Sequence, residues 1–296
     1  MRVAALDCGT NSTRLLILDH DGTVLRRDNV ITRLGDKVDS SGCLADDAQQ
    51  RVADAVTTFS VVMDDYGVER ARLVGTSAVR QAVNGQAFMN RLSGLLGFPC
   101  DIIDGDDEAR LSYLGAHRAL PDVIVDDVVV FDIGGGSTEF CRVHQGELVT
   151  VSLPMGCVRF EERWGHEEES GRLEIRHQLA QLTSNEPRWG LPSPTAVGLA
   201  GTMATLVHLE LGADDPDPRY PGWRFHPEVV TKWRHILAAL SKDERRALRG
   251  MRAGRESVMV GGLIILEEIC ARWDIDELVA GEADILDGVA FELRSN

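Results

Sequence analysis

Long apolar stretches are missing from this sequence, and so is an excess of positive charge. No run approaches the roughly 18 apolar residues that a membrane-spanning helix needs, and the first predicted strand follows Arg2 without a signal peptide. The 31 Lys and Arg residues are outnumbered by 47 Asp and Glu, and the formal net charge of −16 disfavours non-specific binding to DNA or RNA. We therefore expect a cytoplasmic protein with no membrane and no nucleic-acid partner.

Two common site signatures are also absent. The six cysteines are scattered, without a C-x-x-C pair or zinc-like spacing, and the eight histidines show no ligand spacing. The G-x-x-x-x-G-K-[ST] motif does not occur. These absences argue against a zinc site, exclude a P-loop and predict reduced, mostly buried thiols.

One glycine-rich pattern occurs twice in the chain. Each copy is an apolar run, an aspartate, a polar turn and a second apolar run, and the copies lie 125 residues apart. The matching pairs are Asp7 and Asp132, Gly9 and Gly134, Ser12 and Ser137, and Thr13 and Thr138. A repeat of this length in a chain of 296 residues predicts two similar domains.

The two polar turns have the composition of phosphate-binding loops. Glycine lets the backbone approach an anion closely, and successive N–H groups in a turn form an anion-binding concavity. The candidate phosphate ligands are Gly9, Thr10, Asn11, Ser12, Thr13 and Arg14 in the first turn, and Gly134, Gly135, Gly136, Ser137 and Thr138 in the second. Asp7 and Asp132, at the strand ends beside these turns, are the candidate Mg²⁺ ligands. The alternative is that both segments are merely tight hairpins.

Hydrophobic spacing organises the rest of the chain. It predicts strands at 2–7, 14–19, 23–32, 71–75, 100–103, 147–153 and 195–199, a strand–turn–strand at 128–143, and helices at 46–66, 86–96, 106–120 and 157–183. From residue 227 onwards it predicts helices, over 227–240, 242–249, 255–272 and 282–294. Pro121 marks the predicted domain boundary, so that residues 1–122 with a returning helix at 284–296 form one domain and residues 123–283 the other.

The repeat resembles the actin-like ATPase superfamily, and five segments together resemble its exopolyphosphatase / guanosine pentaphosphate phosphohydrolase (Ppx/GppA) branch. These segments are Gly75-Thr-Ser-Ala-Val-Arg80, Gly105-Asp-Asp-Glu108-Ala-Arg110, Asp132-Ile-Gly-Gly-Gly-Ser-Thr-Glu139, Met155-Gly156-Cys-Val and Gly201-Thr202. The resemblance implies an α/β protein of two actin-like (ribonuclease H-like) domains. Each domain would be a mixed sheet flanked by helices, with an interdomain cleft between them.

The resemblance also implies roles for individual residues. Glu108 would be the general base that activates water, and Glu139 would orient water or metal, whereas its counterpart in the first copy is Arg14. Arg80, at a strand-to-helix turn, is a candidate phosphate clamp. Further phosphate contacts are expected from Gly201, Thr202 and Arg255. The structural alternatives are that residues 106–108 only cap a helix and that Arg80 only pairs with a nearby acid.

The expected activity is hydrolysis of terminal phosphates from inorganic polyphosphate, with Mg²⁺ as cofactor. Guanosine pentaphosphate, which carries the same 5′-triphosphate, is the alternative substrate. An actin-like kinase or ATPase and a non-catalytic polyphosphate or alarmone sensor are alternatives of other classes. A homodimer is left open.

Overall fold

The computed structural model describes residues 1–165, 167–213 and 219–295, and the chain divides into two compact units. The first unit contains Met1–Gly115 and Asp284–Asn296, and the second contains Ala116–Ala283. Within the described ranges, no helix combines the length and the apolar character that crossing a membrane requires.

The first unit is built on a five-stranded mixed sheet. Its strands are β1 (Val3–Cys8), β2 (Ser12–Leu18), β3 (Val24–Ile31), β4 (Arg70–Gly75) and β5 (Cys100–Ile102). Its helices are α1 (Val38–Ser41), α2 (Asp46–Asp65), α3 (Ser77–Gln81), α4 (Gly85–Leu96), α5 (Gly105–Ala119), whose last residues belong to the second unit, and α12 (Ile285–Ser295). The strand order is β3-β2-β1-β4-β5. Strands β1 to β3 are antiparallel, whereas β4 and β5 run parallel to β1.

Both faces of this sheet are covered, which explains why β1 is buried along its whole length. Because successive side chains of a strand point to opposite faces, Ala4 and Leu6 join the core beneath α2 and α4, together with Phe59 and Phe88. Val3 and Ala5 join a second core, which contains residues of α5 and α12. The central strand is therefore held rigidly from both sides.

The second unit repeats this topology. Its strands are β6 (Val129–Ile133), β7 (Thr138–His144), β8 (Glu147–Leu153), β9 (Thr195–Leu199), β10 (Arg224–Phe225) and β11 (Glu277–Ala280). Its α-helices are α6 (Cys157–Trp164), α7 (Glu168–Asn185), α8 (Ala200–Leu211), α9 (Glu228–Ala239), α10 (Lys242–Ala247) and α11 (Met259–Arg272), and a 3₁₀ turn covers Pro187–Gly190. The sheet order is β8-β7-β6-β9-β11-β10, again with an antiparallel meander followed by parallel strands.

Helix α11 sets the position of two other helices of this unit. A Cβ at Gly261 would lie 2.9 Å from Cδ1 of Phe160 in α6, and one at Gly262 would lie 2.8 Å from Cγ2 of Thr202 in α8. The two glycines therefore allow the close packing that an apolar, fully buried helix requires. The beginnings of α6 and α8 are fixed against the same core element.

The duplicated mixed sheets confirm the predicted α/β class and the actin-like topology of both halves. The predicted strands around both glycine turns and the long helix at 46–66 are confirmed to within two residues at each end. Helices dominate after residue 227, as expected, but β11, which hydrophobic spacing did not predict, also forms there and pairs with β9. Its four residues are too short a run for periodicity to separate a strand from a helix. The stretch 212–223, which is rich in Pro, Asp and Gly, is predicted to be a loop, and its residues 214–218 lie outside the described residues.

Candidate functional site

In the first unit, three strands end at the same edge of the sheet. Cys8 of β1 pairs in parallel register with Gly75 of β4, and Gly75 pairs with Ile102 of β5. The first turn (residues 9–14), α3 and α5 follow these strand ends. Carboxyl ends of parallel strands are the usual ligand-binding edge of open α/β sheets. The fold therefore gathers the first turn and the two helices that carry Arg80 and Glu108.

Backbone hydrogen bonds fix the first turn. The Gly9 amide donates to the Ser12 carbonyl at 3.0 Å, which closes the turn. Amides of the segment 32–35 donate to the carbonyls of Thr10, at 2.8 Å, and of Asn11, at 3.1 and 2.9 Å. Because C=O and N–H of one trans peptide point in opposite directions, the amides of Asn11 and Ser12 point away from this segment.

Asp7 lies beneath the first turn and is almost fully buried, with 4% of its surface exposed. Its Oδ2 atom accepts from Nε of Arg14 at 2.9 Å and from Nη2 at 2.7 Å. Its Oδ1 atom is buried and has no hydrogen-bond partner within the described residues. Burial raises the pKa of Asp7, and Arg14 only partly opposes this shift. An additional cation at Oδ1 would relieve the cost of a buried, half-satisfied carboxylate.

Arg14 also bonds a second carboxylate. Its Nη1 atom donates to Asp284, immediately before α12. Although burial opposes the shift, Arg14 and Arg27 hold the pKa of Asp284 below its usual value. Arg14 thus bonds the carboxylates of both Asp7 and Asp284. Its role as a phosphate ligand stays a prediction.

Glu108 and Arg80 form an ion pair in the first unit. Nη1 of Arg80 donates to Oε2 of Glu108 at 2.8 Å and to the Ile103 carbonyl at 2.9 Å. These contacts match the structural alternative for Arg80, in which it pairs with a nearby acid. The contact of Arg80 with phosphate stays a prediction. Glu108 is 9% exposed, so it is not the solvated end of a helix.

A different residue caps α5. The Asp107 amide donates to Oδ1 of Asp104 at 2.8 Å, and a short polar side chain that accepts from an early helix amide is the usual N-terminal cap. Glu108 is therefore not required for capping. This arrangement favours the functional interpretation of Glu108 over the capping alternative.

The second turn (residues 134–139) has the same closure as the first. The Gly134 amide donates to the Ser137 carbonyl at 3.0 Å, which matches Gly9 and Ser12. Asp132 pairs across the hairpin with Glu139, as Asp7 pairs with Arg14. The predicted equivalence of Arg14 and Glu139 is confirmed by this register. Glu139 is 3% exposed and accepts from Oγ of Ser152 at 2.7 Å.

A third turn, residues 198–202, joins β9 to α8. Its Gly201 and Thr202 lie at the start of α8, and Arg255 packs beside them. A Cβ at Gly201 would fall 1.8 Å from Nη2 of Arg255, so the guanidinium packs directly on this glycine. Nη1 of Arg255 donates to Sγ of Cys157 at 3.7 Å. Burial raises the pKa of Cys157, although Arg255 opposes it. Cys157 begins α6, which contacts the second turn, so the second and third turns are neighbours.

No cluster of three or more His, Cys, Asp or Glu side chains suited to a metal occurs in the part of the chain that the structure describes. Mg²⁺ usually takes one or two carboxylates and completes its shell with phosphate oxygens and water. The unpartnered Oδ1 of Asp7 fits that mode of binding.

Sequence reasoning missed three residues that shape these turns: Asp104, Asp284 and Arg159. Asp104 and Asp284 precede helices and were detectable as capping residues. Arg159, which is buried and donates to the Gly136 carbonyl, carried no signal beyond its place after the Met155-Gly156-Cys-Val segment.

Comparisons with known proteins show the family of the chain. A profile of the Ppx/GppA phosphatase family matches residues 17–295, a range that begins after the first turn. The chain is 36% identical to Exopolyphosphatase 2 of Mycobacterium tuberculosis, over 99% of this chain and 98% of that protein. It is 28% identical to the guanosine-5′-triphosphate,3′-diphosphate pyrophosphatase of Photobacterium profundum, over 99% of this chain but 59% of that protein. The crystal structure of an exopolyphosphatase-like protein, 28% identical, superposes with a TM-score of 0.90 over 100% of this chain and 99% of that one.

Proposed function

Because the chain belongs to the Ppx/GppA phosphatase family, we propose that it is an exopolyphosphatase, which hydrolyses terminal phosphates of inorganic polyphosphate and releases orthophosphate. One observation carries the choice of substrate. The similarity to a protein named an exopolyphosphatase runs almost end to end in both chains, whereas the pyrophosphatase relative is less similar and extends well beyond the match. Guanosine pentaphosphate, favoured by that second relative, is the alternative substrate.

Glu108 is the proposed general base. It accepts a proton from the water that attacks the terminal phosphorus. The bridging P–O bond breaks with its oxygen remaining on the shortened polyphosphate chain, which is the leaving group, and the attacked phosphorus is released as orthophosphate. Catalysis of phosphoryl transfer rests mostly on positioning and charge neutralisation, and a buried carboxylate held at one oxygen by Arg80, 2.8 Å away, has a fixed orientation. Arg80 thus positions the base, in addition to any contact with phosphate.

The glycine turns are the proposed phosphate-binding elements of the two units. In the first unit, the stretch Gly9 to Thr13 offers the amides of Asn11 and Ser12, while the Gly9 amide closes the turn and the Thr13 hydroxyl pairs with that of Thr32. In the second unit, the stretch Gly134 to Thr138 offers the amides between its two ends, while the Gly134 amide closes the turn and the Thr138 hydroxyl donates to the Met155 carbonyl. Gly201, Thr202 and Arg255 lie beside this second turn. Glu139 is proposed to orient water or metal. None of these roles requires a lysine, because backbone amides and arginine supply the positive potential.

Mg²⁺ is the proposed cofactor, and Asp7 is its best-supported ligand. Oδ2 of Asp7 is occupied by Arg14, whereas the buried Oδ1 atom lacks a partner in the described structure. Asp132, which has the same register in the second hairpin, is the equivalent candidate there. When bound, the ion would neutralise charge on the phosphate oxygens.

One assay tests the function: phosphate release from short polyphosphate, long polyphosphate, guanosine pentaphosphate and ATP, with and without Mg²⁺. Glu108→Gln should lower kcat by about 10²–10⁴-fold, the usual contribution of a general base, while binding of tripolyphosphate persists. Asp107→Asn makes the same chemical change at the neighbouring, solvent-exposed position and should retain activity.

Four outcomes would contradict the proposal. Release only from guanosine pentaphosphate would assign the alternative substrate, and release only from ATP would indicate an ATPase. Binding without release from any substrate would indicate a sensor. Equal activity of Glu108→Gln and wild type would remove Glu108 from the mechanism.

We also propose that the protein acts in the cytoplasm. All six cysteines are free, which suits a reducing compartment. Cell fractionation tests this location, and sedimentation of the purified protein tests the homodimer left open by the sequence.

A further inference from the structure

Helix α6 holds the second turn from behind. Its first amides donate to carbonyls of that turn: Cys157 to Gly134 at 3.0 Å, and Val158 and Arg159 to Gly135 at 2.9 and 3.1 Å. The first amides of a helix have no partner within the helix, so the turn and α6 satisfy each other. Two successive carbonyls of the turn are thereby directed at α6.

The third carbonyl is held by a side chain. Nε of Arg159 donates to the Gly136 carbonyl at 2.8 Å, and Arg159 is 7% exposed. A buried guanidinium is a costly group to place unless its hydrogen bonds are made. Arg159 is therefore committed to a backbone atom of the second turn, unlike an arginine on a helix surface.

Peptide geometry converts these three contacts into a direction for the amides. Within each trans peptide, the carbonyl of one residue and the amide of the next point in opposite directions. With the carbonyls of residues 134, 135 and 136 aimed at α6, the amides of Gly135, Gly136 and Ser137 point away from it. Such a row of convergent amides is an anion-binding nest.

We propose that Arg159 is a positioning residue, which aims the amide of Ser137 at a phosphate group of the substrate by holding the Gly136 carbonyl. This inference rests on the proposed function, because it takes the second turn as a phosphate site. The first turn has no equivalent side chain: in the described structure its carbonyls accept from backbone amides of the segment 32–35. The peptide between Gly136 and Ser137 therefore depends on the side chain of Arg159 for its orientation.

The glycine pattern of the chain offers a selective spectroscopic test. Gly-Gly steps occur only within 134–136 and at 261–262. The chain also has a single Gly-Ser step, at 136–137. A protein labelled with [1-¹³C,¹⁵N]glycine and [¹⁵N]serine therefore gives four amide peaks in a spectrum that selects ¹³C′–¹⁵N pairs: Gly135, Gly136, Ser137 and Gly262. Gly262 lies in α11, where its amide donates to the Val258 carbonyl, and serves as the internal control.

Titration of the wild type with tripolyphosphate should move the Gly135, Gly136 and Ser137 peaks downfield and leave Gly262 in place. In Arg159→Met the Ser137 shift should be lost, whereas the Gly136 amide, whose peptide is held by backbone amides of α6, should still respond. The Kd for tripolyphosphate should rise by about 10–100-fold, somewhat less than the rate loss on removing one oxyanion-hole donor outright. Arg163→Met is the matched control: it lies one turn later on α6, is exposed, and contacts the Trp164 ring.

Arg159→Lys separates position from charge. Lysine keeps the positive charge but has carbon where the Nε donor of arginine stands, so a positioning role predicts that it resembles Arg159→Met. Full restoration of the Ser137 shift and of affinity by lysine would overturn the proposal, as would a wild-type response in Arg159→Met. Loss of the cooperative unfolding transition in both variants would also count against it, because it would assign Arg159 to the stability of the fold.

The binding test is independent of turnover. A wild type that binds tripolyphosphate with the expected Ser137 shift, but releases no phosphate from any polyphosphate, would refute the proposed activity and leave the role of Arg159 intact. A wild type that hydrolyses polyphosphate without a shift at Ser137 would do the reverse.

Discussion

Gly156 is the position where one added carbon tests the candidate site most severely. A Cβ at Gly156 would lie 2.4 Å from both C and O of Gly135 and 2.6 Å from N of Gly136. These are backbone atoms, so no rotamer change relieves the contact. Gly156→Ala therefore requires that α6 and the second turn move apart.

The required displacement can be estimated from contact distances. Non-bonded carbon atoms pack at about 3.5–4.0 Å, so the separation must grow by roughly 1 Å. Overpacking of this kind costs about 1–3 kcal/mol of folding free energy. The effect on activity should be larger, since a misplacement of about 1 Å in a catalytic site costs on the order of 10²-fold in rate. The amide hydrogen bonds from Cys157 and Val158, now 3.0 and 2.9 Å, would lengthen at the same time.

The assay pairs steady-state phosphate release from polyphosphate with calorimetric unfolding. Gly156→Ala should lower kcat/KM by about 10²-fold and leave a cooperative unfolding transition at reduced Tm. Gly190→Ala is the matched control in the same unit, because a Cβ there meets nothing within 4 Å, and it should change neither quantity. Wild-type kcat/KM in Gly156→Ala would refute the argument that α6 sets the geometry of a phosphate site.

Two further predictions concern the buried polar groups and thiols. Arg142 is fully buried and donates to the carbonyls of Arg188, Leu191 and Pro192. Because Arg142→Met leaves these acceptors unpaired, it should lower the free energy of unfolding, measured by chemical denaturation, by about 3–5 kcal/mol. A loss below about 1 kcal/mol would contradict this account. Thiol titration at pH 8 should detect Cys43 alone as fast-reacting in the native protein and all six cysteines after denaturation. Burial raises the pKa of Cys100 and Cys270 to about 12, so about one in 10⁴ of these thiols is ionised at that pH, and rapid modification of either would refute the assignment.

The architecture around the glycine turns was predictable because it is encoded locally. A strand, a turn and a returning strand occupy fewer than 20 consecutive residues, and their register follows from where the polar turn falls. The pairing of Asp7 with Arg14, and of Asp132 with Glu139, could therefore be expected from spacing. The position of Glu108 at a helix start was predictable for the same reason.

The contacts that orient these turns were not predictable, because they join residues far apart in sequence. Arg14 bonds Asp284, 270 residues away, and Arg159 bonds Gly136 across 23 residues. No periodicity in a single sequence records such pairs. The predicted helix at 255–272 likewise begins at Met259, and the contact of the Arg255 guanidinium with Gly201 joins residues 54 positions apart.

The two glycine turns share a closure and differ in everything that surrounds it. Behind the first turn is a backbone segment, and beneath it lies a carboxylate bound to Arg14. Behind the second turn are the start of a helix and a buried arginine, and Glu139 replaces the cation. The two turns keep the same closing hydrogen bond, and with it a backbone suited to binding an anion, while their charged partners differ. The surrounding charges therefore favour a different chemical role in each copy. An arginine–aspartate pair with one unsatisfied carboxylate oxygen suits a metal beside phosphate, whereas a buried glutamate beside helix-anchored amides suits the ordering of water or metal near an oxyanion. Substitutions at matched positions of the two repeats should therefore be unequal in effect, and a cycle that combines Gly9→Ala with Gly134→Ala would measure how far the turns have specialised.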